Sequence, residues 1–493
     1  MSPTSQGGVG VLAGNIYSHG DKLGFRCPSR IARKKKGSKM ENPSRRRVSN
    51  RGIEENTLAI LDATGVKDTQ DDNDDRLAFL EAVRAASIVP EHGTPPTNKM
   101  LDAIFKILQS GKSVELIMAS YQLLNEIDKH FPRVYLSDVG ASNSSCSTPL
   151  EVVVVQEAWS PFVPGLDIAS SEREAADRKF DGPIDSSGFH LLIQNLVQVT
   201  EETNFQALGL KSIGNMLLFQ YLVNVLEGDF LPRNSVYRET MNWNLLRESL
   251  LNMLLGSRRT SYKGLIKDCL FIVSTLCHVH VGFVDDVRSS ENFAAKPYKD
   301  SDTAVAVALL EVEKCTCTAL QRLLVMIMEL DMSKKKADME GHTTRADGVR
   351  TPLVEIILDE LTYNKDILSP FLQVVFNEPK WKLEIVLQYF WKYIAKPSVR
   401  TRRSNGSTDD ATLDGVLKCF SNSTSTKSII KKISTGVAQL LLAHAFQAYL
   451  SLSSQQHPVK SLADSEEVVR GSSLVEICKS VISAFNSLRR TDE

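Results

Sequence analysis

The sequence contains no long apolar run, and this absence excludes a large class of proteins. A membrane-spanning helix needs about 20 consecutive, mainly apolar residues, and the most apolar stretch, residues 436–450, is interrupted by Gln439, His444 and Gln447. The N-terminus also lacks the short apolar core of a secretory signal peptide. We therefore expect neither a transmembrane helix nor a secretory leader.

Cysteine is scarce and scattered, with 8 residues in a chain of 493. Disulfide-rich secreted domains concentrate their cysteines in short chains, whereas these lie far apart and several follow apolar helical patterns. Cys269, Cys277, His278 and His280 lack the paired, tightly spaced ligands of a structural zinc site. The pattern indicates free thiols in a reducing compartment and no bound metal.

Signatures of catalysis are also absent from the sequence. It contains no HExxH, GxSxG, kinase or deaminase motif. Gly111-Lys112-Ser113 is similar to the end of a phosphate-binding loop, but Lys106 stands where that loop needs glycine, and a helical pattern precedes it. The sequence therefore favours a protein without enzymatic activity, cofactor or small-molecule substrate; an unrecognised active site is the minority alternative.

What the sequence does contain is a strong asymmetry of charge. Residues 1–53 carry 12 Lys or Arg against Asp21 and Glu41, a net charge of +10, so the rest of a chain whose total is -1 sums to -11. Because this segment is rich in Gly and Ser and has no apolar period, it is predicted to be a disordered basic arm. The remainder, residues 54–490, is predicted to form the folded body.

Two basic clusters in the arm match a two-part nuclear import signal. They are separated by eight residues and consist of Arg33, Lys34, Lys35, Lys36, Arg45, Arg46 and Arg47. An arm without a signal and an organellar transit peptide are the alternatives, and the contiguous basic run argues against the transit peptide. We expect a nuclear protein.

From Asn56 onward, apolar residues recur at helical spacing, and 42% of the chain is hydrophobic, enough for a core. The β-branched residues 152–155 are an isolated strand signal, and one strand cannot make a sheet. Many helices joined by short turns, without a clean 34- or 40-residue repeat, predict an all-α, armadillo/HEAT-like helical solenoid with degenerate repeats. Longer breaks are predicted to be mobile loops at 137–150, 165–187, 282–302, 333–350 and 397–411.

The break at 333–350 is the predicted docking element. It follows Leu323–Leu330, a segment that is apolar on all sides and must therefore be buried on every side. A polar connection of this length is usually functional or disordered. The candidate partner-docking residues are Lys334, Lys335, Lys336, Asp347 and Arg350. A simple mobile linker is the alternative interpretation.

Several long strings together resemble a known plant family. They include NTLAILDATG at 56–65, ETMNWNLLRESLLNMLL at 239–255 and EPKWKLEIVLQYFWKYIAKPSVRTRR at 378–403, and the likeness is densest over 323–403. The chain resembles the plant negative regulators of systemic acquired resistance. Residues 1–39 lie outside the family pattern, which leaves an import arm, a transit peptide and an upstream extension as alternatives.

The resemblance implies a nuclear, non-enzymatic repressor of pathogenesis-related gene expression with an armadillo-like fold. It also implies a non-SMC subunit of the structural-maintenance-of-chromosomes five/six complex, paired with a second helical subunit in DNA-damage repair and recombination. A nuclear-transport or ubiquitin-pathway adaptor on the same fold is the alternative. Direct DNA binding is disfavoured because the body is acidic, so contact with DNA is expected to be indirect or weak.

Overall fold

The computed structural model describes most of the chain between Glu55 and Arg490. The described residues are 55–59, 61, 69–90, 93–138, 150–163, 183–201, 210–257, 260–289, 300–344, 347, 350–363, 379–393, 412–455 and 466–490. The predicted basic arm, the predicted loop 397–411 and most of the predicted loops 137–150 and 165–187 lie outside them.

The described part is dominated by helices, so the predicted all-α class is confirmed. In chain order the elements are α1 (Thr69–Ser87), α2 (Asn98–Ser110), α3 (Val114–His130), β1 (Val134–Asp138), β2 (Leu150–Val154), α4 (Ser186–Glu201), α5 (Leu210–Thr240), α6 (Trp243–Arg247), α7 (Leu250–Leu255), α8 (Tyr262–Ser289), α9 (Asp300–Met339), α10 (Leu353–Tyr363), α11 (Pro379–Tyr393), α12 (Leu413–Phe420), α13 (Ser423–Ile433), α14 (Thr435–Gln455) and α15 (Glu466–Arg489). No described helix is long and apolar enough to cross a membrane.

Side-chain caps fix where several of these helices begin. Thr97 and Ser113 are extended, and their hydroxyl oxygens accept hydrogen bonds from the N–H groups of Met100 and Leu116. Such bonds satisfy donors that the first turn of a helix leaves free. Gly111, which separates α2 from α3, therefore belongs to a helix–helix turn and not to a phosphate-binding loop.

The isolated strand at 152–155 proved to have a partner. β2 pairs antiparallel with β1, from Val134 opposite Val154 to Asp138 opposite Leu150. The sequence analysis missed β1 because five residues of mixed character carry little alternation. A two-stranded ribbon is only marginally stable alone, and here it packs against α5.

Residues 206–227 and 235–256 were predicted as two helices, but the first is much longer and takes in the break. α5 runs continuously through Pro232, whose ring faces the carbonyl of Gly228 four residues earlier. The helix ends at Thr240, where Met241 has a positive φ of 55°. Asp229 and Arg233, both nearly buried, hold the following chain: Asp229 accepts from the N–H of Leu250 at 2.7 Å.

Two predicted loops are shorter than expected because helices extend into them. α8 continues to Ser289 and α9 begins at Asp300, inside the predicted loop 282–302. α9 also continues to Met339, so the first seven residues of the predicted loop 333–350 are helical. It stops at Gly341, which has a φ of 76°, and His342 donates its N–H to the carbonyl of Ala337 at 2.9 Å. This is a Schellman-type end.

Three long helices lie side by side and run parallel. Tyr121 and Asn125 of α3 hydrogen-bond to Gln220 and Asn224 of α5, so residue numbers rise together along both helices. The same holds for α5 and α9, where Gln220 meets Thr316 at 3.0 Å and the hydroxyl of Tyr237 reaches the carbonyl of Ser333 at 2.7 Å. Consecutive layers of this kind are what a solenoid-like array requires, and α9 is central enough that Leu323–Leu330 is almost wholly buried, as predicted.

Candidate functional site

The predicted docking residues do not form one surface, because three of them are used inside the fold. Lys334 donates from Nζ to the backbone carbonyl of Asp347 at 2.8 Å. The Asp347 carboxylate is only 3% exposed and lies 3.3 Å from Nε of Arg247. The indole of Trp243 also donates to it, at 3.2 Å. Lys334 and Asp347 therefore fasten the turn after α9 to α6.

Hydrogen bonding sets the charge state of Asp347. Burial pushes the pKa of Asp347 up, but donors from the backbone and side chain of Thr344, the Trp243 indole and the charge of Arg247 outweigh it, so the pKa lies below its ordinary value of 3.8. The Thr344 N–H and hydroxyl both reach Oδ2, at 2.6 and 2.9 Å. A carboxylate held by this many donors is a structural anchor.

Arg350 is also structural. Its guanidinium lies 5.3 Å from the centre of the Tyr262 ring on α8. Nε and Nη2 both donate to Oδ1 of Asp331, and the two side chains are 13% and 10% exposed. The other oxygen of Asp331 accepts the N–H of Leu353 at 2.8 Å, which caps the start of α10 from a different helix. Arg350 is therefore not available for docking, and its assignment as a docking residue is corrected.

Lys335 and Lys336 are the members of the predicted set that face outward. They lie on the exposed side of α9 together with Met332 and Met339, which are 44% and 70% exposed. Each methionine is three or four residues from both lysines, so the four side chains neighbour one another on the helix. We call these four residues the α9 surface.

An ion cluster borders the α9 surface and joins three helices. Glu329 of α9 accepts from Arg238 of α5 at 2.5 Å and from Lys380 of α11 at 3.0 Å. The ammonium of Lys380 lies 4.7 Å from the centre of the Trp381 ring. The carboxylate is 11% exposed, while the Arg238 and Lys380 side chains are 59% and 45% exposed. A partner approaching here would meet the cations and not the acid.

Sequence reasoning missed part of this surface for two different reasons. Met332 and Met339 carried a usable signal, since they and Lys336 share one side of a helix that was ended too early. Arg238 and Lys380 carried none, because they lie 91 and 51 positions from Glu329 in the chain. Only the packing of α5, α9 and α11 brings them together.

The other sequence predictions fall on different parts of the chain. The import-signal residues Arg33–Lys36 and Arg45–Arg47 lie outside the described residues. Cys269 is buried, and burial raises the pKa of its thiol. Within the described ranges no group of three or more His, Cys, Asp or Glu is arranged to hold a metal ion.

Comparisons with known proteins give this architecture a family. Residues 133–378 match the model of the SNI1 middle domain, and residues 394–493 match that of the SNI1 C-terminal domain. The chain is 49% identical over 462 residues to the Arabidopsis thaliana protein named negative regulator of systemic acquired resistance SNI1, an alignment that covers 93% of this chain and 94% of the relative. No solved structure matches the chain significantly. Identity of this level over nearly the full length of both proteins shows that the chain belongs to the SNI1 family of negative regulators of systemic acquired resistance.

Proposed function

We propose that this protein is a negative regulator of systemic acquired resistance that works as a non-enzymatic nuclear scaffold. The observation that carries the proposal is the 49% identity to the Arabidopsis regulator over 93% of the chain. Two features support a scaffold. The described fold is an array of stacked helices, which offers extended surfaces to other proteins. Its α9 surface, flanked by Arg238 and Lys380, is exposed and combines apolar with cationic side chains.

The proposal includes a second role, as a non-SMC subunit of the SMC five/six complex in DNA-damage response and recombination. It rests on the resemblance of the long strings quoted above. The expected partners are a second helical subunit and the complex itself. The charge of the chain fits indirect contact with DNA, because the residues after 53 sum to -11 and repel phosphates.

Genetic complementation tests the regulatory role. The chain is expressed in Arabidopsis plants that lack the relative, and transcripts of pathogenesis-related genes are measured without infection. We expect these transcripts to fall to wild-type levels. A protein that accumulates in nuclei to the level of the native relative but leaves the transcripts elevated would contradict the regulatory role.

Purification tests the second role separately. A tagged chain is isolated from plant nuclei, and the SMC five and SMC six proteins are quantified by mass spectrometry against a tagged, unrelated helical-repeat protein. We expect enrichment of both proteins, and restored growth of the mutant plants on a DNA-crosslinking agent. Complementation of defence-gene expression without this enrichment would retain the regulator and reject the complex subunit.

A further inference from the structure

The last described helix, α15, has an exposed apolar seam along one side. Val475 and Ile482, seven residues apart, are 52% and 61% exposed. Cys478 and Phe485, three residues after each of them, are half-buried beside them. Apolar residues alternating at spacings of three and four form the contact stripe of a helix that pairs with another helix.

The opposite side of α15 already has its partners. Val481, Ala484 and Leu488 are buried, and the helix packs against α12, α13 and α14. Its seam therefore adds a second apolar side, which the described neighbours leave uncovered. Single exposed apolar residues are common on protein surfaces. Two large ones in register, with half-buried residues completing the spacing, are the pattern of a helix contact.

The charges next to the seam indicate what kind of helix would fit. The exposed charged residues of α15 and the turn that follows are Glu476 against Lys479, Arg489 and Arg490, a net charge of +2 over residues 474–490. A second copy of this chain would bring the same cations to the contact, and like charges across a helix pair oppose association. An acidic helix would be attracted by them. Nucleic acid would gain little from Val475 and Ile482, which occupy the centre of the stripe.

We propose that the α15 seam binds an amphipathic helix of a partner protein, one with apolar residues at heptad spacing and acidic residues beside them. Val475 and Ile482 would insert between the apolar side chains of that helix, and Lys479, Arg489 and Arg490 would face its acids. The inference stands on α15 alone and does not depend on the regulatory role proposed above. The α9 surface lies on a different helix, so the two surfaces are tested by different variants.

A synthetic probe tests the seam without knowledge of the natural partner. The probe is a fluorescein-labelled peptide of four heptads with Leu or Ile at both seam positions and Glu at both flanking positions. The Glu residues repel each other, so the peptide does not pair with itself. A second peptide carries Lys in place of Glu. Binding of both peptides to the full chain is followed by fluorescence anisotropy.

We expect the acidic peptide to bind at least tenfold more tightly than the basic one. Ile482→Glu should weaken binding of the acidic peptide at least tenfold. Ser483→Glu is the matched control, since Ser483 is exposed on the same turn but lies off the seam, and it should change binding less than twofold. Val475→Glu gives an independent second test, and thermal unfolding of each variant should match that of the native chain because both side chains are exposed.

Three results would overturn the proposal. Equal binding of the acidic peptide to the native chain and to correctly folded Ile482→Glu would show that the seam is not the site. Equal or tighter binding of the basic peptide would reverse the charge assignment. A dimer of the native chain in analytical ultracentrifugation that Ile482→Glu dissolves would assign the seam to a second copy instead.

Discussion

Arg350 donates two hydrogen bonds to a single oxygen of Asp331, at 2.9 and 2.7 Å, across 19 positions of the chain. The pair closes the connection between α9 and α10, and both side chains are nearly buried. A segment that was predicted to be mobile and free to dock is thus held at the end of α9, at the turn by Asp347, and at the start of α10.

Arg350→Ala should therefore destabilise the protein. Removing one partner of a buried ion pair leaves the other charge buried without compensation, which costs about 3 kcal/mol. The measurement is the free energy of unfolding in urea. Lys335→Ala is the control, because an exposed substitution changes stability by about 0.5 kcal/mol at most. If Arg350→Ala behaved like the control, the buried pair would be unimportant and Arg350 would again be available for docking.

Asp347 should make stability depend on pH in the acidic range. Its pKa in the folded chain lies below the ordinary value of 3.8, so its contribution is fully present above that value. The contribution is lost as the pH falls through the lower pKa of the folded state, because protonation removes the charge that the donors stabilise. The difference in unfolding free energy between the native chain and Asp347→Asn should be constant above about pH 5 and should shrink below the ordinary pKa. A difference that grew on acidification would contradict the geometry.

Asp229→Ala should be among the most damaging single changes in α5. The side chain is 2% exposed and serves both Arg233 and the N–H of Leu250. Its loss should cost about 3 to 5 kcal/mol, since it strands a buried guanidinium and a buried donor. Asp229→Asn should cost less, because the amide oxygen can still accept from Leu250. Calorimetric melting of both variants would test this order, and the opposite order would rule out the backbone contact as the main contribution.

The basic arm should direct nuclear import. Replacing Arg33–Lys36 and Arg45–Arg47 with Ala should lower the nuclear fraction of a fluorescently tagged chain, because importers recognise clustered cations. Urea unfolding of the body should not change, since the arm lacks an apolar period to pack on it. Replacing Lys22, Arg26 and Arg30 instead is the matched control for loss of charge. Accumulation of the native chain in chloroplasts would favour a transit peptide.

Sequence patterns predicted most of the helices, because burial of one side leaves a periodic signal that needs no knowledge of the neighbours. They failed where a contact distant in the chain decides the outcome. α5 continues through Pro232 because tertiary packing and the buried Asp229–Arg233 pair hold it. β1 is a strand because β2 lies beside it. The polar run after Asp331 looks like a loop, yet Ser333 and Ala337 are buried and keep it helical.

The sequence by itself determined the helical class, the charge division between arm and body, and the family. Each of these is written in local periodicity, composition or long matching strings. The tertiary structure decided which charged residues of the 333–350 segment are anchors and which face outward, because Asp331, Arg247 and Trp243 reach that segment only through folding. It also decided that Val475 and Ile482 are exposed, since helical spacing marks an apolar side but cannot show whether another helix covers it.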